Sequence, residues 1–309
     1  MSTGHKDAAH DTADETTRDA AADTASVSDS RRFLDENRAL WDAWTKIHVD
    51  SAFYDVASFK GGGERPIRVK EYEREEVGDV TGKSLLHLQC HFGLDTLSWA
   101  RLGATVTGAD FSPQAIDTAR KLAQELGIDA TFVCSNLYDL PENLDAEQGF
   151  DIVYTSHGVL GWLPDIARWA KAAAHFVQPG GFLYVTEAHP VVMAFENEGV
   201  EPGELKLTYP YWEHAEPISF DVHGSYAEPE APTEGLREHG WDHGLGEIVT
   251  AAVDAGLRIE FLHEFPFVGW KIDFLVQGDD GFYRLPGELD GRLPLYFSLK
   301  ATRPKAGAR

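Results

Sequence analysis

The stretch Lys83–Asp110, KSLLHLQCHFGLDTLSWARLGATVTGAD, decides the fold of this chain. It predicts a buried strand, a tight turn, a helix, a second strand and an acid where that strand ends. The apolar run Ser84–Leu88 is typical of a parallel strand that is covered on both faces. The turn Gln89–Gly93 and the carboxylate of Asp110 therefore lie at one edge of a parallel sheet, where ligands bind. Their spacing suits a nucleoside, since backbone groups can hold one part of it and a carboxylate the ribose hydroxyls.

The rest of the core repeats the alternation of strands and helices. Further strands are predicted at 130–134, 150–155, 181–186, 257–265 and 293–302, and helices at 93–102, 113–126, 165–177 and 242–255. This order predicts an α/β fold with a doubly wound, Rossmann-like parallel sheet.

The flanking segments differ from the core in composition. Residues 1–30 are rich in Ala, Asp, Thr and Ser and contain no aromatic residue, so we expect a disordered acidic tail. Order is predicted to start near Arg31, with Asp29 or Ser30 as the N-cap of an amphipathic helix. We divide the remainder into a helical cap at 31–78, a ligand-binding core at 79–186, a lid insertion at 187–241, the C-terminal part of the core sheet at 242–303 and a tail at 304–309.

Charge and cysteine content narrow the function classes. The 309 residues include 27 Lys and Arg against 51 Asp and Glu, which gives a net charge of −24. Such a surface disfavours nucleic acids and anionic membranes as partners. It fits an ordinary acidic cytoplasmic enzyme or a protein adapted to a salt-rich cytosol. Two cysteines do not make a disulfide scaffold, and no apolar run has the length of a membrane span, so we predict a cytoplasmic protein.

Five landmarks follow one another in a recognisable order. They are LLHLQCHFG at 85–93, GADFS at 108–112, FVCSNLYDLP at 132–141, FDIVYTSHGVLGWLPD at 150–165 and QPGG at 178–181. In these motifs the chain resembles the class I S-adenosylmethionine-dependent methyltransferases, well over residues 80–186 and more loosely over 242–302. The resemblance implies a seven-stranded sheet with its last strand antiparallel, an N-terminal helical cap, a lid after the fifth strand, S-adenosylmethionine as cofactor and methyl transfer to a small-molecule acceptor.

The first motif departs from the family pattern. His87 stands where the family has an acid, and Gln89 and His91 occupy the places of two glycines, so that only Gly93 remains. A dinucleotide pyrophosphate needs a close backbone approach at those glycines, whereas S-adenosylmethionine has no phosphate. Two alternatives stay open: a protein that binds S-adenosylmethionine without transferring methyl, and a nicotinamide-dependent oxidoreductase.

The resemblance also implies roles for the residues at the sheet edge. Asp110 is expected to accept the ribose hydroxyls, and Asn136 to meet the adenine amino group beside the Leu137 amide. The competing interpretations are a helix-capping Asp and an ordinary turn residue. The predicted cofactor-binding residues are Gln89, Cys90, His91, Gly93, Asp110, Phe111, Ser112, Asn136, Leu137 and His157.

Acceptor and catalytic residues are predicted from position alone. His157 follows the fourth strand and could take a proton from the acceptor, although a packed histidine explains it as well. Glu187 and His189 leave the fifth strand at the same edge and are further catalytic candidates. Methyl transfer is an in-line displacement that needs alignment and a dry site more than a strong base. Residues predicted to bind substrate are Trp41, Trp44, Tyr54, Tyr211, Trp212 and Tyr226, with a packed core as the competing interpretation for the two tryptophans.

We predict no metal site. His239 and His243 in EHGWDHG have i,i+4 spacing, but the general base of HExxH is absent and Gly240 weakens a helix there. Asp242 as a helix N-cap explains this stretch more simply. Asp151 begins the fourth strand and should face the edge opposite the ligand.

Overall fold

The computed structural model of the protein describes residues 15–61, 67–214, 216–233, 235–305 and 307. The strands in this part are β1 Ser84–Leu88, β2 Thr105–Asp110, β3 Ala130–Cys134, β4 Phe150–Ser156, β5 Val177–Ala188, β6 Ile218–Asp221, β7 Arg237–Gly240, β8 Arg258–Phe265, β9 Val276–Gln277, β10 Tyr283–Arg284 and β11 Tyr296–Thr302. The α-helices are α1 Glu15–Asp50, α2 Val56–Gly61, α3 Glu71–Val77, α4 Leu94–Arg101, α5 Pro113–Leu126, α6 Leu140–Asn143, α7 Ile166–Phe176, α8 Pro190–Met193 and α9 Leu245–Asp254.

Seven of these strands form one sheet in the order β3-β2-β1-β4-β5-β11-β8. β1 to β5 pair in parallel, and β11 runs antiparallel to both β5 and β8. The predicted seven-stranded sheet with an antiparallel last strand is therefore confirmed. The strand order reverses between β1 and β4, and such a switch point opens a crevice beyond the carboxyl ends of the strands.

Helices cover both faces of β1. Side chains alternate along a strand, so Leu86 and Leu88 pack on the face that also buries Trp169 of α7. Leu85 lies on the other face, in one cluster with Trp99 of α4. This two-sided burial explains why the strand is an apolar run.

Local signals place the helices that lead away from the site. Ser112 caps α5 because its Oγ accepts the amide of Ala115, and Gly127 ends this helix at φ +63°. The Asp165 side chain accepts the amide of Arg168 at the start of α7. Gly93 before α4 has φ +81°, and a Cβ at that residue would lie 2.8 Å from the Phe132 ring, so no larger side chain fits.

The N-terminal helix begins earlier than predicted. α1 runs from Glu15 to Asp50 without a break, so Asp29 and Ser30 lie inside a helix and neither is its N-cap. The part of the expected tail before Glu15 lies outside the described residues. Extending an existing helix adds one hydrogen bond for each residue that is ordered, and alanines oppose this least, which accounts for the extra turns.

The insertion after β5 contains short antiparallel strands. β6 pairs with β7, and β7 packs against α1. The side-chain amide of Asn37 on α1 bonds both backbone groups of His239 on β7, at 2.8 and 2.9 Å. α1 and this hairpin together cover the crevice. None of the described helices is both long and apolar enough to cross a bilayer.

Candidate functional site

A cavity of about 1120 Å³ opens beyond the carboxyl ends of the parallel strands. Its floor is the edge formed by β1 to β5, and its roof consists of α1 and parts of the insertion. The predicted residues that line it are Trp41, Trp44, Tyr54, Gln89, Cys90, His91, Gly93, Asp110, Phe111, Asn136, Leu137, His157, Glu187 and Tyr226. Ser112, His189, Tyr211 and Trp212 are not part of its lining.

The altered glycine turn keeps the backbone of a glycine turn. Gln89 has φ +54° and His91 has φ +50°, the left-handed region that glycine adopts most easily. The side-chain nitrogen Nε2 of Gln89 donates to the carbonyl of Val159 at 3.0 Å, while the side-chain oxygen Oε1 is buried without a hydrogen-bond partner among the described residues. This turn therefore presents an unsatisfied acceptor at the cavity wall.

The His91 side chain points toward the N-terminal helix. Its Nε2 lies 2.9 Å from Nδ1 of His48, and its ring packs against Trp41 at 5.0 Å between centroids. Burial lowers the pKa of both imidazoles, that of His48 to about 3, so both rings are neutral. The ring therefore leans against α1 while His91 still lines the cavity.

His87 replaces the family's acid with a neutral, fully bonded ring. Nδ1 lies 2.9 Å from the hydroxyl of Thr96, and Nε2 lies 3.2 Å from that of Ser156. Burial, and then the charge of His157, lower the pKa of His87 to about 3. His87 thus ties β1 to α4 and β4 and brings no negative charge to the site.

Asp110 carries a carboxylate that is only half used by the protein. Oδ1 accepts the amide of Ser112 at 2.9 Å, and Oδ2 accepts the amide of His91 at 2.8 Å. A carboxylate has about four lone-pair sites, so two remain for a ligand. Burial raises the pKa of Asp110 to about 6, against the effect of these two amides. Ser112 itself caps α5 and donates its hydroxyl to Asp42, which explains its absence from the cavity.

Asn136 begins the turn after β3. Its Oδ1 accepts the amide of Tyr138 at 2.9 Å and caps the 3₁₀ turn Leu137–Asp139. The competing turn interpretation is therefore correct as far as this bond goes, and Asn136 and Leu137 also line the cavity.

The ring of His157 is held by protein groups on both nitrogens. Nδ1 bonds the hydroxyl of Tyr296, and Nε2 lies 3.1 Å from Oε1 of Glu73 on α3. Burial lowers the pKa of His157, but the neighbouring Glu73 carboxylate outweighs it, so the net shift is upward. Nε2 makes no well-formed hydrogen bond among the described residues, but it faces the buried Glu73 carboxylate, so the geometry does not favour His157 as the proton acceptor.

The two candidates at the end of β5 also have other contacts. The carboxylate of Glu187 accepts four backbone amides, from Gly158, Val159, Leu160 and Ala188, at 2.6 to 3.1 Å. Four bonds fill its lone pairs, so Glu187 holds the turn after β4 and is a poor general base.

His189 caps α8 by accepting the amide of Val191, and its Nε2 lies 3.1 Å from Glu264 Oε1. The structure thus places His189 outside the cavity, contrary to the sequence prediction.

Aromatic side chains form the wall under α1. His48 stacks on Tyr54 at 5.1 Å, and the hydroxyls of Tyr54 and Tyr226 bond each other. Trp44 is almost fully buried and donates its indole N–H to the carbonyl of Gly224, so it belongs to the core as well as to the wall.

Tyr211 and Trp212 do not line the cavity. The hydroxyl of Tyr211 accepts the amide of Leu245, where α9 begins, and Trp212 is 74% exposed. Their prediction as substrate-binding residues is not supported by this arrangement.

The two histidines of EHGWDHG do not share a helical face. His239 is in β7 and lies 2.7 Å from Glu36, while His243 bonds the carbonyl of Leu163. Among the described residues, no group of three or more His, Cys, Asp or Glu is arranged to hold a metal. Asp242 pairs with His214 and does not cap α9, whose N-cap is Gly244, so that prediction was wrong.

Sequence reasoning missed several charged residues of the cavity region, and three of them lie near β1 and β4. Glu73 is fully buried behind His157, and Arg68 and Asp95 line the wall near the turn of β1. Arg68 and Glu73 precede the recognisable motifs, so no spacing pointed to them. Asp95 is the second residue after Gly93, and this proximity was the one available signal.

The strand order, the crevice at the switch point and the acid after β2 together define the class I methyltransferase fold. Residues 85–181 match the family of the methyltransferase domain. A methyltransferase structure from Mesorhizobium loti, described as S-adenosylmethionine-dependent, has a TM-score of 0.53 at 22% identity and covers 74% of this chain and 95% of its own. A putative S-adenosylmethionine-dependent methyltransferase structure from Listeria monocytogenes has a TM-score of 0.51 at 15% identity and covers 75% of this chain and 98% of its own.

Curated sequences extend the likeness. The chain is 34% identical to a ubiquinone biosynthesis O-methyltransferase from Proteus mirabilis, over 46% of this chain and 63% of that protein. It is 28% identical to the ubiquinone biosynthesis O-methyltransferase from Shewanella pealeana, over 42% of this chain and 53% of that protein. The match spans about half to two thirds of these relatives. Residues 85–181 thus match a methyltransferase domain, and the fold is similar to that of solved S-adenosylmethionine-dependent methyltransferases.

Proposed function

We propose that this protein transfers a methyl group from S-adenosylmethionine to a small-molecule acceptor. The observation that carries the proposal is the Asp110 carboxylate, which ends β2 in the cavity and keeps two lone pairs for a ligand. Two adjacent ribose hydroxyls are the donors that such a group suits. Burial raises the pKa of Asp110 to about 6, although its two amide partners act in the opposite direction.

The neighbouring groups suit the other parts of this cofactor. Asn136 retains its amide N–H groups and the second lone pair of Oδ1 for the adenine edge, beside the backbone amide of Leu137. The buried, unpartnered Oε1 of Gln89 and Nδ1 of His91 lie at the turn that the amino-acid part would cross. A polar ligand there would satisfy atoms that are costly to leave unbonded.

When bound, S-adenosylmethionine supplies an electrophilic methyl group on a positively charged sulfur. The chain's part is then to align the acceptor with that methyl and to exclude water. Trp41, Trp44 and Tyr54 line the cavity with aromatic rings rather than with acids or bases. Such a wall favours positive charge over its faces and keeps the site dry.

The acceptor occupies the remainder of the cavity beneath the insertion. A volume of about 1120 Å³ exceeds the range typical of sites for one drug-sized ligand, so cofactor and acceptor fit together. We include hydroxyl compounds in the assay panel because the matched relatives are named O-methyltransferases. The absence of nucleic-acid and membrane partners and the cytoplasmic location stay predictions from sequence.

The test combines binding and turnover. Calorimetry should show S-adenosylhomocysteine binding to the wild-type protein and a loss of tenfold or more in Asp110→Ala, because a charge-assisted hydrogen bond contributes about 1.5–3 kcal/mol. Asp117→Ala, an exposed acid on α5, is the matched control and should bind like the wild type. A small-metabolite panel is then screened for release of S-adenosylhomocysteine. Equal binding by Asp110→Ala, or no binding by the wild type, would refute the proposal.

A second candidate is a protein that binds the cofactor and transfers nothing. The observation that favours it is the glycine turn, where Gln89 and His91 occupy left-handed positions with side chains attached. Both candidates predict cofactor binding, and the turnover screen separates them. The third possibility, a nicotinamide-dependent oxidoreductase, predicts a change in NADH fluorescence on titration with the protein.

A further inference from the structure

Asp95 is a carboxylate in the cavity wall to which the roles above give no task. It lies in the first turn of α4 and is partly buried. Among the residues that the structure describes, none forms a hydrogen bond or ion pair with its side chain. Burial raises the pKa of Asp95, and the Glu73 carboxylate adds to the rise, while His157, Arg68 and Lys70 act in the opposite direction. It is thus an acid among nearby cations with no direct partner.

The order of residues along the sheet edge locates Asp95 relative to the nucleoside. Asn136 follows β3 and Asp110 ends β2, so adenine and ribose are expected over these two strands. The amino-acid part must then extend over β1 toward β4. Asp95 follows the β1 turn, and its electrostatic neighbour His157 follows β4. This places Asp95 at the amino-acid end.

Arg68 supplies the opposite charge at the same end. Its backbone amide donates to Oγ of Ser98 at 2.9 Å, which anchors the segment to α4. One guanidinium nitrogen donates to the carbonyl of Phe53 at 3.0 Å, and the side chain lines the cavity. A guanidinium carries five N–H donors in a planar fork, so this single bond leaves donors for a carboxylate.

The other acids near this end are already occupied. Glu73 is fully buried and bonds the Tyr154 hydroxyl and the Lys70 amide beside His157. Glu187 accepts four amides, and the position where the family has an acid is occupied by the neutral His87. Among the described cavity residues near β1 and β4, Asp95 is therefore the one carboxylate that has no hydrogen-bonded partner. It is the group that an α-ammonium at this end would meet.

We propose that Asp95 binds the α-ammonium group of the cofactor's amino-acid part and that Arg68 binds its α-carboxylate. The inference rests on the proposed function, since it assigns the amino-acid subsite of the same cofactor. It makes Asp95 the replacement for the charge lost at His87. Neither residue contacts the nucleoside, so each contributes only to ligands that carry the matching charged group.

Three probes separate these contributions. S-adenosylhomocysteine carries both charged groups, decarboxylated S-adenosylhomocysteine keeps the amine alone, and 5′-methylthioadenosine has neither. Calorimetry is run with the wild type, Asp95→Asn and Arg68→Met, and with Asp117→Asn as a control that removes an exposed charge. Circular dichroism confirms that each variant is folded.

Asp95→Asn should lose about tenfold or more in affinity for S-adenosylhomocysteine and for its decarboxylated form, as expected for a charge-assisted hydrogen bond. Its affinity for 5′-methylthioadenosine should stay within twofold. Arg68→Met should lose affinity for S-adenosylhomocysteine alone. Unchanged binding of S-adenosylhomocysteine in Asp95→Asn, or an equal loss for all three probes, would overturn the inference. A wild-type protein that binds none of the probes would instead refute the proposed function.

Discussion

Two carboxylates at the same sheet edge, Asp110 at the end of β2 and Glu187 at the end of β5, differ in how many hydrogen bonds they accept from the protein. Both are nearly buried, and both accept backbone amides. Asp110 accepts two, from His91 and Ser112, whereas Glu187 accepts four and has no capacity left. The first carboxylate can therefore bind a ligand, while the second only shapes the turn beside it.

This difference shows that position at a strand end does not identify a functional acid. What matters is how many of its lone pairs the surrounding backbone consumes. The turn after β4 passes close to Glu187 with Gly158 at φ +73°, so three successive amides point at one carboxylate. No comparable run of amides surrounds Asp110.

The largest effect should come from removing the saturated carboxylate. Glu187→Ala leaves four buried amides without acceptors, and each such group costs about 1–3 kcal/mol, so we expect the free energy of unfolding to fall by about 3 kcal/mol or more. Asp110→Ala leaves two and should cost about half as much. Urea unfolding followed by circular dichroism measures both.

Glu264→Ala is the control for this comparison. Its side chain is 48% exposed and touches His189, so its loss should cost less than about 1 kcal/mol. If Asp110→Ala proved as destabilising as Glu187→Ala, the distinction between the two carboxylates would fail.

The fold was predictable because its signals are local. Apolar runs set the strands, Ser112 and Asp165 cap the helices that were predicted at 113–126 and 165–177, and the alternation of elements admits few topologies. The start of α1 was missed because low hydrophobicity was taken to mean disorder, whereas α1 continues through that stretch.

The site was predictable only where a motif carried it. Asp110 and Asn136 follow strands at fixed spacing and line the cavity as expected. His157 was placed correctly along the chain, but its bonds to Glu73 and Tyr296 join segments that lie far apart in the sequence. Tyr211 and Trp212 were chosen for aromatic character alone, and composition does not say which way a loop residue faces.

A second prediction concerns the pH dependence of the unsaturated carboxylate. Asp110 titrates at about pH 6 in the ligand-free protein, and ribose hydroxyls donate to its ionised form. Affinity for 5′-methylthioadenosine should therefore weaken as the pH falls through 6, by about tenfold between pH 8 and pH 5. This ligand lacks the amino-acid part, so the titration of Asp95 contributes little. Calorimetry in buffers of matched ionic strength gives the profile.

Asp110→Asn is the control, because it cannot titrate. Its affinity should be lower at pH 8 and nearly constant across the same range. Glu187→Gln, if folded, should keep the wild-type profile, since the four-amide carboxylate does not meet the ligand. A profile in Asp110→Asn that still falls below pH 6 would assign the titration to another group.

The smallest expected effect concerns the turn that supplies one of the two amides to Asp110. Gln89 stands in a left-handed conformation that costs a residue with a side chain about 1 kcal/mol relative to glycine, and its bond to Val159 contributes a similar amount. Gln89→Ala should lose the hydrogen bond to Val159 and keep the backbone strain. Gln89→Gly should lose both, and because the two effects offset each other its free energy of unfolding should remain close to that of the wild type. Urea unfolding should thus find Gly more stable than Ala by about 1 kcal/mol. The reverse order is expected at Lys121, an exposed position within α5, where glycine is the poorer helix former. If the Ala variant were more stable than the Gly variant at both positions, the backbone of Gln89 would not be strained. The side chains of Gln89 and His91, which stand where the family has glycines, would then not compromise a cofactor-binding turn.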